Sequence, residues 1–278
     1  MSDSLFQIIQ AIVLGFVQGA TEFIPVSSSG HLVIVPWLLG WEKPPLLFDT
    51  VLHWGTLLAI GLVFWRDLWT IARATLTSLV RRSLDDVNAR VGWFIVVGSI
   101  PAVVAGLLFK DFFESLFASP AAAGGFLLVT AGLLALSEWI SRRLQRLGGL
   151  EQMSLADSLV IGLAQALALA PGISRSGSTM AAGLARGLRR DVAARYSFLL
   201  GTPVFLGAGV LQLADALAVD PAQVAAQLPA LAMGFLVAGV TGILAIRFLL
   251  AYLRTRSLIL FAVYCAGLGL FVLLANLL

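Results

Sequence analysis

Two short polar segments interrupt an otherwise apolar chain and carry most of the residues that could do chemistry. The first spans residues 18–31 and reads QGATEFIPVSSSGH, and the second spans residues 171–179 and reads PGISRSGST. Hydroxyls, glycine backbone N–H groups and a helix starting after Gly177 could donate hydrogen bonds to one anion. Arg175 adds a planar guanidinium that matches phosphate oxygens. The segments therefore predict an anion site, and phosphate is the anion that they favour.

The first segment contains candidates for a nucleophile and for an acid or base. Ser28, or a neighbouring serine, could attack a phosphorus atom, and His31 could take or return the proton. Glu22 could hold a divalent cation or orient His31. Gln18 lies one helical turn before Glu22, so the two side chains would share a helix face. Ionisable groups inside a membrane are costly and usually functional, which favours a function for Glu22, His31 and Arg175.

Structural roles are open for some of the same residues. Ser27 and Ser29 could cap backbone groups where a helix breaks, an interpretation as good as direct catalysis. Glu22 and Arg175 could form an ion pair that only joins the two segments.

Four ionisable residues outside the segments are interpreted as structural. Asp49 and His53 share one apolar stretch, where they could support the site from behind, but a structural role is favoured. Lys110 and Glu138 lie near the ends of apolar stretches and are predicted to be interfacial anchors.

The composition requires lipid as a solvent. Of 278 residues, 59% are hydrophobic and 12% are charged, and the mean hydropathy is +0.97; soluble domains carry about 25% charged residues. This balance excludes a soluble protein. The net charge of +3 does not imply nucleic acid, and the single cysteine, Cys265, allows neither a disulfide framework nor a thiolate metal site.

Six apolar stretches are long enough to be predicted transmembrane helices. They are Leu46–Trp65, Val91–Phe109, Ala121–Ile140, Tyr196–Leu213, Leu228–Ile246 and Ser257–Leu278. The arginines between them orient the spans, because positive loops face the cytoplasm. These are Arg66, Arg73, Arg81, Arg82, Arg90, Arg142, Arg143, Arg146, Arg247, Arg254 and Arg256. The span at Leu46 should therefore begin outside the cell.

The two remaining segments, residues 5–39 and 156–190, are broken by glycine, proline and serine. The apolar run from Leu5 to Val17 lacks a cleavage site and should remain in the mature protein. The loop charges predict that each segment is a re-entrant hairpin, entering from opposite sides. The following residues recur at an offset of 147: Gly15, Gln18, Ser27, Ser29 and Gly30 as Gly162, Gln165, Ser174, Ser176 and Gly177.

An inverted repeat explains this pattern. Gly98, Ala102 and Gly106 also recur, at an offset of 136, as Gly234, Ala238 and Gly242, where small residues would allow close helix packing. The predicted fold is an all-α integral membrane protein with one polytopic domain over residues 1–278. Each half, about 5–140 and 156–278, contains one re-entrant helical hairpin plus three transmembrane helices.

Together the two motifs resemble the undecaprenyl pyrophosphate phosphatases, also called bacitracin-resistance proteins. The matching positions are Gln18, Glu22, Pro25, Ser27, Ser28, Ser29, Gly30 and His31 in the first motif, and Pro171, Gly172, Ser174, Arg175, Ser176 and Thr179 in the second. The resemblance covers essentially the whole chain.

The resemblance implies a multi-pass enzyme of the bacterial inner membrane. It would hydrolyse undecaprenyl diphosphate to undecaprenyl phosphate for cell-wall synthesis, depend on Mg²⁺ or Ca²⁺, and contact membrane lipid but no nucleic acid. A homodimer is compatible with it.

The resemblance also implies roles for individual residues. Gln18 and Glu22 occupy the positions tied to metal and catalysis, and Ser28 and His31 the positions of nucleophile and acid or base. Arg175 occupies a catalytic, diphosphate-binding position. The predicted substrate-binding set is Gln18, Ser27, Ser29, Gly172, Ser174, Ser176 and Thr179. Some family members have glutamate where this chain has Gln18, a poorer metal ligand.

Two other functions stand beside this one. Phosphatidic-acid-type phosphatases also use Ser-Gly-His and Ser-Arg elements, but they need a histidine after the Ser-Arg motif, and His31 and His53 both precede it. A lipid or ion-coupled transporter, or flippase, could use the same phosphate-binding cavity, as the inverted repeat suggests.

Overall fold

The computed structural model describes residues 3–42, 44–144, 148–219 and 221–277. Within these ranges the secondary structure is helical, apart from an isolated bridge between Gly148 and Leu188. The helices are α1 (Asp3–Phe23), α2 (Ser28–Leu39), α3 (Leu46–Val63), α4 (Trp65–Arg81), α5 (Val87–Leu108), α6 (Lys110–Leu116), α7 (Pro120–Ser141), α8 (Leu155–Leu167), α9 (Arg175–Ala185), α10 (Arg190–Val219), α11 (Pro221–Leu253) and α12 (Ile259–Ala275).

Six of the described helices are long and apolar enough to cross a membrane, but they are not the six predicted. Helices α3, α5, α7, α10 and α11 match predicted spans. The sixth is α1, whose apolar part from Leu5 to Phe23 has 19 residues and was expected to be half of a re-entrant hairpin. The predicted span Ser257–Leu278 is not among the six. The helix within it, α12, starts at Ile259 and is shorter, with 17 residues. Leu278 and the loop residue Arg146 lie outside the described residues.

Both predicted breaks are present, and serine caps the helix that follows each one. Ser27 has an uncommon positive φ of 69°, and its Oγ accepts a hydrogen bond of 3.2 Å from Gly30 N–H at the start of α2. At the second break Gly172 has φ of 100°, and Ser174 Oγ accepts a bond of 3.0 Å from Gly177 N–H at the start of α9. The helical chain is therefore interrupted between α1 and α2 and again between α8 and α9.

Glycines allow two pairs of helices to pack closely. Helix α1 lies against α11, where a Cβ on Gly15 would come within 2.7 Å of the Gly234 carbonyl oxygen. Helix α8 lies against α5, where a Cβ on Gly162 would collide with the Gly98 carbonyl oxygen. The small residues thus sit at the contacts where close packing was expected.

Ion pairs join the helices near the arginine-rich loops. Arg190 makes two hydrogen bonds with Glu138, at 2.8 and 2.5 Å, and Glu138 also accepts one of 2.8 Å from Leu258 N–H. Glu138 is only 1% exposed, so it ties α7, α10 and the start of α12 together. The interpretation of Glu138 as an interfacial anchor is therefore wrong, because these partners bury its carboxylate.

Candidate active site

The carboxylate of Glu22 is the centre of the site. Glu22 lies in the last turn of α1 and is 4% exposed. Its Oε2 accepts a hydrogen bond of 2.5 Å from Ser28 Oγ and one of 3.0 Å from Gln18 Nε2. Its Oε1 accepts one of 2.7 Å from Arg175 Nη2. A nucleophile candidate, a carboxylate acceptor and a guanidinium are thus in direct contact.

Arg175 is held in place from several directions. As the first residue of α9 it follows the second break, so the hairpin tip carries its side chain to Glu22. Its Nη1 donates a bond of 2.9 Å to the Ser197 carbonyl, and its Cζ lies 4.7 Å from the centre of the Phe205 ring. A Cβ on Gly201 would lie 2.7 Å from Nη1, so this glycine makes room for the guanidinium. The ion pair between the two segments is present, and Glu22 and Arg175 also line a cavity.

Ser27 and Ser174 have structural contacts as well as positions in the cavity wall. Besides capping α2, Ser27 Oγ accepts a bond of 3.1 Å from Gly172 N–H, which joins the two breaks. Ser174 N–H donates to Thr130 Oγ1 at 2.9 Å, and that hydroxyl donates to the Gly172 carbonyl at 2.8 Å. The capping interpretation is confirmed for Ser27, whereas Ser29 Oγ lies 3.3 Å from Ser27 Oγ. Ser29 and Ser176 also line the cavity.

Two residues of the predicted substrate-binding set support the wall from behind. Thr179 Oγ1 lies 2.6 Å from Ser197 Oγ and donates to the Arg175 carbonyl at 2.8 Å. Gly172 packs against the Ala123 carbonyl, which leaves no space for a Cβ. Neither residue lines the cavity, and Gln18 contacts it only through Glu22.

His31 is not paired with Ser28 in the structure. Its Nδ1 donates to the Ser27 carbonyl at 2.7 Å, so Nε2 of the neutral ring accepts from Tyr264 Oη, also at 2.7 Å. The ring is 5.8 Å from the Tyr264 ring and nearly parallel to it, at 5°. His31 therefore faces α12, and the acceptor of the Ser28 hydroxyl is Glu22 because the turn before α2 brings Ser28 back over the end of α1.

A different histidine lies beside the carboxylate. Nε2 of His53, on α3, is 3.6 Å from Glu22 Oε2, and its Nδ1 donates to the Asp49 carbonyl at 2.7 Å. Its side chain lines the cavity. The sequence interpretation favoured a structural role for His53 and so missed its place beside Glu22. The signal that could have found it is an ionisable side chain within a membrane span.

The cavity has a volume of about 330 Å³ and is lined by both polar and apolar residues. The polar lining residues include Glu22, Ser28, His53 and Arg175 with the other serines, and the apolar ones include Phe113, Phe117, Leu169, Val204 and Phe205. Lys110, Gln165 and Gln212 also line it. Lys110, interpreted as an interfacial anchor, is exposed just after the end of α5 and also lines the cavity.

The donor set suits a weakly held divalent cation. Within the described ranges no group of three His, Cys, Asp or Glu side chains could hold a metal ion. However, Mg²⁺ is commonly bound by one or two carboxylates together with substrate phosphates and waters. Glu22 supplies one carboxylate in the cavity lining. The adjacent Gln18 Oε1 is buried without a hydrogen-bond partner among the described residues but does not line the cavity, so Glu22 is the residue that fits such a metal.

One family model and several known proteins match this chain over nearly its whole length. The family model described as bacitracin resistance protein BacA matches residues 11–271. A protein of Thermomicrobium roseum named undecaprenyl-diphosphatase is 44% identical over 270 residues, covering 95% of this chain and 96% of its own. Proteins with the same name from Methanosphaera stadtmanae and Pelotomaculum thermopropionicum are 42% and 43% identical, covering 98% and 96% of this chain and 99% and 97% of their own. Both polar segments, residues 18–31 and 171–179, lie within the matched region.

Proposed function

The chain belongs to the bacitracin resistance protein BacA family, and we propose that it removes the terminal phosphate of undecaprenyl diphosphate. The products are undecaprenyl phosphate, which returns to cell-wall synthesis, and inorganic phosphate. The observation that carries this function is the contact of Ser28, Glu22 and Arg175 at one end of a cavity with an apolar wall. The bacterial inner membrane is the proposed location.

Ser28 is the proposed nucleophile. Its Oγ attacks the terminal phosphorus as Glu22 Oε2, 2.5 Å away, accepts the hydroxyl proton. The new Oγ–P bond replaces the bond from phosphorus to the bridging oxygen, and undecaprenyl phosphate leaves. Water then attacks the phosphoserine and passes its proton to phosphate, while Glu22 returns the stored proton to the departing Oγ, which releases inorganic phosphate, free Ser28 and the Glu22 carboxylate. His31, turned towards Tyr264, supports the tip by holding the Ser27 carbonyl.

Arg175 stabilises the charge on the transferring phosphoryl group. Its guanidinium is held by Glu22, the Ser197 carbonyl and Phe205 before substrate arrives, so little reorganisation is needed during the reaction. The hydroxyls of Ser29, Ser174 and Ser176 lie in the same wall and can donate to phosphate oxygens. A preorganised positive site of this kind stabilises the charge on the phosphoryl oxygens in the transition state better than bulk water does.

A Mg²⁺ or Ca²⁺ ion is part of the proposal. Glu22 is the residue that would hold it, together with oxygens of the diphosphate. When bound, the ion would neutralise part of the negative charge on the diphosphate.

An inverted repeat is the proposed architecture, with each hairpin packed on a helix of the opposite half. It is supported by corresponding contacts: Gly15 meets Gly234, and Gly162 meets Gly98. These pairs exchange under the offsets of 147 and 136 read from the sequence. The capping bonds of Ser27 and Ser174 correspond in the same way. A homodimer stays a prediction.

Phosphate release from undecaprenyl diphosphate by the purified protein in detergent tests the function, with and without a chelator. We expect release that falls on chelation and returns when Mg²⁺ or Ca²⁺ is added. Persistence of full activity in excess chelator would remove the metal from the proposal but leave the hydrolase. Absence of release from folded protein, together with transfer of the lipid across vesicle membranes, would favour the flippase instead.

A further inference from the structure

Gln165 is a buried amide without a partner in the wall of the active-site cavity. It lies in the last turn of α8, is 2% exposed, and lines the same cavity as Ser28 and Arg175. Neither its Nε2 nor its Oε1 has a hydrogen-bond partner among the described residues. Burying an unpaired amide destabilises a folded protein, so such a group calls for a ligand that satisfies it.

The corresponding residue of the first hairpin explains why this amide has no partner. Gln18, offset by 147 residues, donates from Nε2 to the carboxylate of Glu22, one turn later on the same helix. The residue four positions after Gln165 is Leu169, which offers no acceptor. The second hairpin therefore retains the amide without the carboxylate.

The surroundings of Gln165 identify the chemistry of the missing partner. Leu169 approaches α5, with its Cδ1 3.8 Å from where a Cβ on Gly106 would lie, and Lys110 follows Gly106 by one turn at the same cavity wall. Among the described residues that line the cavity, Glu22 is the only carboxylate, and Arg175 already binds it. A buried amide donor whose cavity offers it no free carboxylate favours a ligand that brings anionic oxygens.

We propose that Gln165 binds the diphosphate of the lipid substrate, its Nε2 donating to the phosphoryl group that stays with the lipid. This inference rests on the proposed hydrolysis. The terminal phosphorus must reach Ser28, beside Glu22, and the prenyl chain must extend past the apolar residues that line the cavity. Gln165 lines the same cavity as Leu169 and Phe113, so a second phosphoryl group that lies between Ser28 and the apolar residues can reach its amide.

Replacement of Gln165 by leucine tests the proposal. Leucine has a similar volume and leaves no unpaired polar group, so the thermal stability in detergent should be unchanged or higher. The kcat/KM for undecaprenyl diphosphate should fall about 10-fold or more, the value of one hydrogen bond to a charged acceptor. Gln152→Leu makes the same chemical change at an exposed glutamine outside the cavity and should have no effect.

A second readout separates this proposal from the function itself. The probe is a prenyl methylenediphosphonate, whose P–C–P link cannot be hydrolysed, and its affinity should weaken in Gln165→Leu. Unchanged affinity and unchanged kcat/KM would overturn the role of Gln165 while the wild-type protein remains a hydrolase. A loss of activity accompanied by a lower melting temperature would also overturn it, because Gln165 would then stabilise the fold. Failure of the wild-type protein to release phosphate would instead refute the hydrolase.

Discussion

Replacing Ser28 with alanine and Glu22 with glutamine, separately and together, tests whether the two side chains act in one chemical step. Their contact is direct, since Ser28 Oγ donates to Glu22 Oε2 at 2.5 Å. A general base contributes about 10²–10⁴-fold to a rate. Glu22→Gln should therefore lower kcat by about that factor, and Ser28→Ala by at least as much. If the two groups act as a unit, the double variant should be no slower than the slower single variant.

The same contacts predict different effects on stability. Ser28→Ala removes one donor to Oε2, which keeps the bond from Gln18 Nε2, so the loss should be about 1.5 kcal/mol. Glu22→Gln removes the anion facing Arg175, and the two side chains are only 3% and 11% exposed. Breaking a buried pair costs about 3–5 kcal/mol. The lower end, about 3 kcal/mol, applies here because Arg175 keeps the Ser197 carbonyl.

The assay measures phosphate release at a temperature at which thermal unfolding shows every variant to be folded. Independent contributions would multiply, so the double variant would lose about 10⁴-fold or more. That multiplicative loss would refute a shared step. Activity of Ser28→Ala within 10-fold of the wild type would refute Ser28 as the nucleophile and leave a water molecule in that role.

Three further predictions concern parts of the structure around the site. Tyr264→Phe removes the donor to His31 Nε2, so the free energy of unfolding should fall by about 1 kcal/mol while kcat stays within 10-fold of the wild type. An effect on kcat as large as that of Ser28→Ala would mean that His31 acts in the chemistry. Gly162→Ala forces a Cβ against the Gly98 carbonyl and should lower the free energy of unfolding by about 1–3 kcal/mol. The control Gly132→Ala should not, because a Cβ at Gly132 would meet no atom within 4 Å. Equal melting temperatures of the two variants would contradict the close approach of α8 and α5. The Asp157 carboxylate accepts hydrogen bonds from Ser154 and Arg186. Burial raises the pKa of this carboxyl, but the hydrogen bonds and the Arg186 charge outweigh burial, so the pKa is lowered. Asp157→Asn should therefore lower the melting temperature at neutral pH, and the difference from the wild type should shrink as the pH falls below about 3.9. A difference that grows on acidification would contradict the sign of that pKa shift.

Much of the fold follows from local sequence, but the identity of the spans does not follow completely. Apolar runs and the breaks near Pro25 and Gly172 could be read directly, because lipid demands internally paired backbone and serines cap the ends. The sequence did not distinguish α1, which has 21 residues, from half of a re-entrant hairpin, since both are apolar and both end at a break. The burial of Glu138 was missed because its partners, Arg190 and Leu258, are remote in the sequence.

The sequence by itself determined the solvent, the helical class, the two polar tips and the kinds of side chain they carry, because these depend on composition and on neighbours within a few residues. Only the tertiary structure decided the partners. Ser28 and His31 are three positions apart, yet Ser28 donates to Glu22 on the preceding helix and His31 binds Tyr264 on α12. His53, Lys110 and Gln165 reach the cavity because their helices cross near the tips. Distances between helices depend on packing over the whole molecule, and local spacing does not contain them.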